Sequence, residues 1–207
     1  MIAGKSGSGK TTLLKCIYGL CDLEQGEIHF EGEKVLGPAF NLLPGHQDMK
    51  LVSTGYALLE HHTVYENIAD MLIGYHDDYK QKKIMELLRL TEMTAMRDKK
   101  VSTLSDGQRQ RVALAKALCL FPKMLLLDEP FSNLDIITKE KIFTYIKKKL
   151  KQHNSSCIIV SHRLDEVLKN ADLLGIMRNG KLVQLESYKE MKKHPANAYV
   201  ESLLKLK

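Results

Sequence analysis

Eight residues near the start of the chain, Gly4-Lys5-Ser6-Gly7-Ser8-Gly9-Lys10-Thr11, follow the pattern G-x-x-x-x-G-K-[ST] and constrain the fold more than any other stretch. Glycines at these places let the backbone curl until successive N–H groups converge on one point. The helix expected immediately after, with its apolar stripe of Leu13, Leu14 and Ile17, adds the positive end of its dipole at the same point. A loop of this kind cradles phosphate oxygens. Within it, Lys10 reaches the β- and γ-phosphates of a nucleotide, and the Thr11 hydroxyl is placed to ligate Mg²⁺.

The remainder of the chain supplies the sheet that such a loop needs. Strand-like runs lie at 27–30, 33–36, 50–53, 124–127, 157–161, 173–177 and 181–185; helical patterns lie at 10–19, 80–90, 107–120, 138–152 and 164–170. Their alternation predicts an α/β fold, a mainly parallel sheet flanked by helices. Met124-Leu125-Leu126-Leu127 and Cys157-Ile158-Ile159-Val160 are unbroken apolar runs, as parallel strands covered on both faces require. The stretch from about 66 to 120 holds no convincing strand and reads as a helical insert within one domain spanning 1–207. With 44% hydrophobic and 27% charged residues, the composition excludes a disordered tail, a collagen and a disulfide-dense miniprotein.

Two further segments carry chemistry. Met124–Leu127 runs directly into Asp128-Glu129-Pro130, and ligands of open α/β sheets bind beyond the carboxyl ends of strands. Asp128 is placed to hold Mg²⁺ through its water shell, and Glu129 to orient and polarise an attacking water. In Leu104-Ser105-Asp106-Gly107-Gln108, Ser105 with Gln108 three residues later is a capping-box arrangement, which leaves the N-terminus of the following helix as a second anion site.

Charge and cysteines narrow the setting. The net charge of +6 is concentrated in residues 104–207, which carry 19 basic and 11 acidic side chains, part of them in Lys147-Lys148-Lys149-Leu150-Lys151. Such a run is expected to be a solvated helix face, and nucleic acid is not expected as a partner. Cys16, Cys21, Cys119 and Cys157 form no Cys-x-x-Cys pair and read as buried thiols in a reducing cytoplasm. No apolar run approaches the ~18 residues that span a bilayer. Met1-Ile2-Ala3 leaves no room for a signal peptide, so a soluble chain is expected.

Taken together, these motifs resemble the ATP-binding subunit of an ABC transporter. The phosphate loop at Gly4–Thr12, Thr63-Val64 with Glu66-Asn67-Ile68, the near-signature Leu104–Gln108, Asp128-Glu129, Ser132-Asn133-Leu134-Asp135, Ser161-His162 and the hairpin around Gly180 come in the family's order over essentially the whole chain. The resemblance implies a P-loop NTPase fold with remnants of an antiparallel β subdomain. It also implies that two such domains, alike or different, sandwich two ATP molecules head to tail. Gly4, Lys5, Ser6, Gly7, Ser8, Gly9, Lys10, Thr11 and Thr12 of one would face Ser105, Gly107 and Gln108 of the other, with Asp135 at the dimer interface. Glu129 would be the general base, His162 would contact the γ-phosphate, and Thr11 and Asp128 would hold Mg²⁺. Membrane-spanning permease subunits would carry the solute, with the ATPase on the inner face of the cell membrane. The segment Gly55-Tyr56-Ala57-Leu58-Leu59-Glu60-His61-His62 favours an importer.

Three departures from the family stand out. Thr54 occupies the position of an expected glutamine at the end of a strand, with Gln47 the alternative stand-in. Asp106 replaces the first signature glycine; at ~6 Å and an effective dielectric near 20, its repulsion from each phosphate charge is roughly 3 kcal/mol. Only Met1-Ile2-Ala3 precede Gly4, so the central strand feeding the loop is expected to be missing, along with the strands before it and their adenine-stacking aromatic; Tyr18 is expected in the core instead. The alternatives to a transport ATPase are a non-transport member of the superfamily, or a nucleotide-binding module with weak or no turnover.

Overall fold

The computed structural model describes residues 1–53, 58–132, 134–163 and 171–205. They fall into two compact units. The first comprises Met1–Leu51, Met124–Glu129 and Cys157–Lys207; the second comprises Val52–Lys123 and Pro130–Ser156.

The first unit is built on a six-stranded sheet in the order β4-β5-β6-β1-β7-β8. Its strands are β1 (Ile2–Ala3), β4 (Met49–Val52), β5 (Met124–Asp128), β6 (Ser156–Ser161), β7 (Leu174–Arg178) and β8 (Lys181–Glu186). The sheet is mainly parallel: β1 pairs in parallel with β6 and with β7, whereas β7 and β8 form an antiparallel hairpin. β2 (His29–Phe30) and β3 (Glu33–Lys34) form a separate antiparallel pair. Its turn is Glu31-Gly32, both at positive φ (51° and 85°), the backbone a two-residue hairpin demands.

The expected gap at the centre of the sheet is corrected here. Ile2 lies opposite Val160 and Gly175, and Ala3 opposite Ser161 and Ile176, so two residues fill the central position. The chain leaves the sheet at Gly4 to enter the loop. The alternation of a strand then sends their side chains to opposite faces. Ile2 joins Leu14, Val35, Met49, Leu126 and Val160 beside helix α1 (Lys10–Tyr18). Ala3 joins Leu174, Ile176, Met191, Val200 and Leu203 beside α6 (Tyr188–Lys193) and α7 (Ala198–Lys205). Tyr18 is half-buried in the first of these clusters, where the core was expected to hold it.

The second unit is helical. It contains α2 (Val64–Ala69), α3 (Asp77–Leu90), α4 (Asp106–Ala117) and α5 (Ile136–His153). Thr63 and Ser105 both start their helices with reciprocal capping boxes, to Glu66 and Gln108 respectively. Ile68, Leu72, Ile84, Leu87, Leu88, Val112 and Leu114 are closed to solvent and form its interior. The helical pattern at 164–170 and the Thr54 position lie outside the described residues. Cys119 is buried; Cys16, Cys21 and Cys157 are only partly so, and burial pushes the Cys157 thiol up to about 12.

Candidate functional site

The phosphate loop connects β1 to α1. At Gly4 a Cβ would stand 2.3 Å from the Met177 carbonyl oxygen and 2.7 Å from Ser8 Oγ, so no side chain fits. Gly7 and Gly9 take φ of 76° and 97°, the left-handed region where glycine carries no steric cost. The loop closes with Ser8 N–H donating to Lys5 O (3.1 Å), and the turn of the β7–β8 hairpin ties it down with Gly180 N–H donating to Ser8 O (3.0 Å). Lys10, 6% exposed, donates to Gly4 O at 2.8 Å and Lys5 O at 3.1 Å. Burial lowers its pKa, while the carboxylates of Glu129 and Asp128 act in the opposite direction.

Ser6–Thr12, Glu129 and His162 line a cleft of about 380 Å³. The first N–H groups of α1 have no carbonyl before them within the helix and no side-chain cap at Gly9, which leaves them for an anion. Ser8 Oγ is buried without a hydrogen-bond partner among the described residues, a further polar atom suited to a phosphate oxygen. Gly4→Ala is expected to destabilise the first unit by about 2–3 kcal/mol, because the obstacle is backbone and cannot rotate away. It should weaken nucleotide binding in parallel, measured by denaturant unfolding and by titration with a fluorescent nucleotide.

β5 delivers its two acids differently, and Glu129 is the one that lines the cleft. Asp128 ends the strand, 4% exposed, with Oδ1 unpartnered. Burial raises its pKa, and a hydrogen bond with the Thr11 side chain pulls it the other way. Thr11 and Asp128 are thus neighbouring hard oxygen donors, the ligand type that Mg²⁺ takes, and the lone Oδ1 fits a cation or its water.

Glu129 follows in the left-handed conformation, φ 50°, with its N–H donating to Val160 O at 2.9 Å. That kink turns its carboxylate toward the end of β6. There Oε1 accepts from the His162 backbone N–H (2.7 Å) and meets His162 Nδ1 at 2.9 Å, while Oε2 accepts from the Ser161 hydroxyl (3.2 Å). Glu129 is mostly covered, whereas His162 is half open to solvent. The structure therefore brings Gly4–Thr12, Asp128, Glu129 and His162 together. Ser161-His162 and the hairpin around Gly180 were visible as motifs, but the bonds from Ser161 to Glu129 and from Gly180 to Ser8 depend on which strand ends become neighbours.

Ser105, Gly107, Gln108 and Asp135 belong to the second unit. Ser105 caps α4: its N–H donates to Gln108 Oε1 (3.1 Å) and its Oγ accepts from Gln108 N–H (3.4 Å). Asp106 is exposed in the first turn. Asp135 caps α5 by accepting from Thr138 N–H at 3.0 Å, and bonds to Thr138 hold its carboxyl below the usual range. Gln47 is exposed, in a turn after His46.

The comparisons with known proteins agree with this geometry. The family model described as ABC transporter matches residues 1–132. The chain is 36% identical over 208 residues to the probable sulfate/thiosulfate import ATP-binding protein CysA of Chlorella vulgaris, covering 100% of this chain and 86% of that one. It is also 36% identical over 206 residues to the molybdate/tungstate import ATP-binding protein WtpC of Pyrococcus horikoshii, covering 99% of this chain but 59% of the relative. Against the spermidine/putrescine import ATP-binding protein PotA of Roseobacter denitrificans it spans 55% of the relative's length. Among solved structures, a dimeric ATP-binding cassette in a post-hydrolysis state with ADP and Pi superposes with a TM-score of 0.75 at 27% identity, over 90% of this chain and 84% of that one. The chain belongs to the ABC transporter family, among its ATP-binding and ATP-hydrolysing members.

Proposed function

We propose that this chain is the ATPase subunit of a solute importer, working with a second ATPase subunit and with membrane-spanning permease subunits on the cytoplasmic face. No helix among the described residues is long and apolar enough to cross a membrane. The observation that carries the reading is the placing of the Glu129 carboxylate on the same cleft as the phosphate loop. Relatives named as import ATP-binding proteins supply the direction.

In this reading one ABC-type ATPase domain includes the helical stretch at about 66–120 and provides each side of the reaction. The backbone of Gly4–Gly9, the ammonium of Lys10 and the hydroxyls of Ser6, Ser8 and Thr12 orient the triphosphate of ATP. Thr11 and Asp128 hold Mg²⁺, which when bound neutralises phosphate charge. Glu129 takes a proton from the attacking water, and the open side of His162 reaches the γ-phosphate. Ser105, Gly107 and Gln108, with Asp135 at the dimer interface, act on the nucleotide of the opposing subunit. Phosphoryl transfer needs mainly such positioning and charge stabilisation. The test is MgATP-dependent phosphate release by the chain, and recovery of a multi-span protein with it from detergent-solubilised membranes. Phosphate release without any membrane partner would favour a non-transport member.

Asp106 favours a second reading, a module with weak turnover. Its carboxylate is exposed at the helix end that would face the incoming triphosphate. Asp106→Gly is expected to strengthen ATP-driven dimerisation roughly tenfold, after discounting the charge repulsion for solvent exposure. Sedimentation with and without ATP decides it; no gain in the variant removes Asp106 as the cause of a weak sandwich.

A further inference from the structure

Three consecutive side chains of α4 reach three different segments of the second unit. Arg109 donates from Nε to Leu104 O (3.3 Å) and from Nη2 to Ser102 O (3.2 Å), and its Nη1 meets Glu60 Oε1 at 3.2 Å. Gln110, 5% exposed, lies with both ends of its amide 3.3 Å from the Ser132 hydroxyl, donating from Nε2 and accepting at Oε1. Arg111 pairs with Glu92 Oε2 at 3.6 Å, and Glu92 Oε1 accepts from the Thr138 hydroxyl at 2.7 Å. Successive helical residues point about 100° apart, so one turn can hold three neighbours at once. Two of the segments held, at Ser132 and at Thr138, stand on either side of Asp135.

We infer that Gln110 is a positioning residue for ATP turnover: by gripping Ser132 it fixes the Asp135 turn against the Ser105–Gln108 end of α4. The two then form one surface of constant spacing for the nucleotide of the opposing subunit. This rests on the two-subunit reading above. Gln110 suits the task because its buried amide can donate and accept toward a single hydroxyl. Ser132 is exposed, so water can replace the lost bonds when the grip is removed. The fold should therefore barely notice, while the spacing is lost.

The experiment uses the full chain with Gln110→Met, which is close in size but cannot hydrogen-bond in this way, Ser132→Ala, and the double variant. Each single variant is expected to lower kcat about five-fold, the effect of an ordinary hydrogen bond lost from the turnover step. KM for MgATP and the thermal midpoint should stay near wild type, and the double variant should lose no more than the worse single one. An unchanged kcat in Gln110→Met, a loss explained by lowered melting, or additive losses in the double variant would overturn the inference. ATP-driven dimerisation of Glu129→Gln, with Gln110 and Ser132 intact, reports on the underlying reading. If no dimer forms there, the two-subunit reading fails and this inference with it; if a dimer forms and kcat is indifferent to Gln110, only this inference fails.

Discussion

Glu129→Gln should slow ATP hydrolysis roughly 100- to 10,000-fold, the usual span for removing a general base, with nucleotide still bound. A glutamine keeps the shape of the side chain. Its amide oxygen can still accept from the His162 N–H, which now holds Oε1 at 2.7 Å, while its NH2 group in the place of Oε2 can donate to the Ser161 hydroxyl, now 3.2 Å away. It cannot take a proton from water. The substitution also removes one of the negative charges facing Lys10, and so one source of repulsion toward a triphosphate. Binding should hold or tighten as turnover collapses. Phosphate release under saturating MgATP, paired with equilibrium binding of a fluorescent nucleotide, separates the two. A variant that retained a tenth of the wild-type rate would move the role of base to another group.

Lys10→Met should do the opposite, abolishing most binding before chemistry is reached. Two charge-assisted hydrogen bonds to phosphate are worth about 3–6 kcal/mol together, so affinity should fall at least 100-fold. The stability effect has a different sign structure. Burial lowers the Lys10 pKa in the fold, so the charged form is disfavoured there relative to the unfolded chain. That term opposes folding in full below the lowered folded-state pKa, and it fades as pH rises from there to the unfolded-state pKa. Methionine removes this penalty together with the bonds to Gly4 O and Lys5 O. The two changes offset, and the unfolding midpoint should move little. Titration with MgATP and denaturant unfolding at neutral pH check both halves; wild-type affinity in the variant would exclude Lys10 from the phosphate site.

How much of this could be read beforehand depended on the range over which each signal acts. The phosphate loop is contiguous, and its glycines are dictated by local backbone, so Gly4–Thr11 was fully legible. The capping box of α4 is equally local: Ser105 and Gln108 are three residues apart on one helical turn. β5 and β6 were visible as unbroken apolar runs. By contrast, Ile2–Ala3 is too short to show any period, and only pairing on both sides makes it a strand. α6, with the sequence YKEMKK, is polar apart from Tyr188 and Met191, and depends on the Ser187 cap and on Met191 reaching the core. The meeting of Glu129 with Ser161 and His162 joins residues more than thirty positions apart in the chain. No spacing rule in the sequence gives that distance.

The left-handed backbone at Glu129 carries a consequence for how such a chain can change over generations. A non-glycine residue in that region costs roughly 1–2 kcal/mol, a cost that glycine does not carry. The substitution that would best relax the turn is therefore the one that deletes the carboxylate. With Glu129 as the general base proposed above, selection for robustness and selection for turnover pull in opposite directions at this position. A lineage released from the need to hydrolyse ATP would drift toward glycine here and gain stability by doing so. One that keeps an acid at this angle records continued use of the reaction.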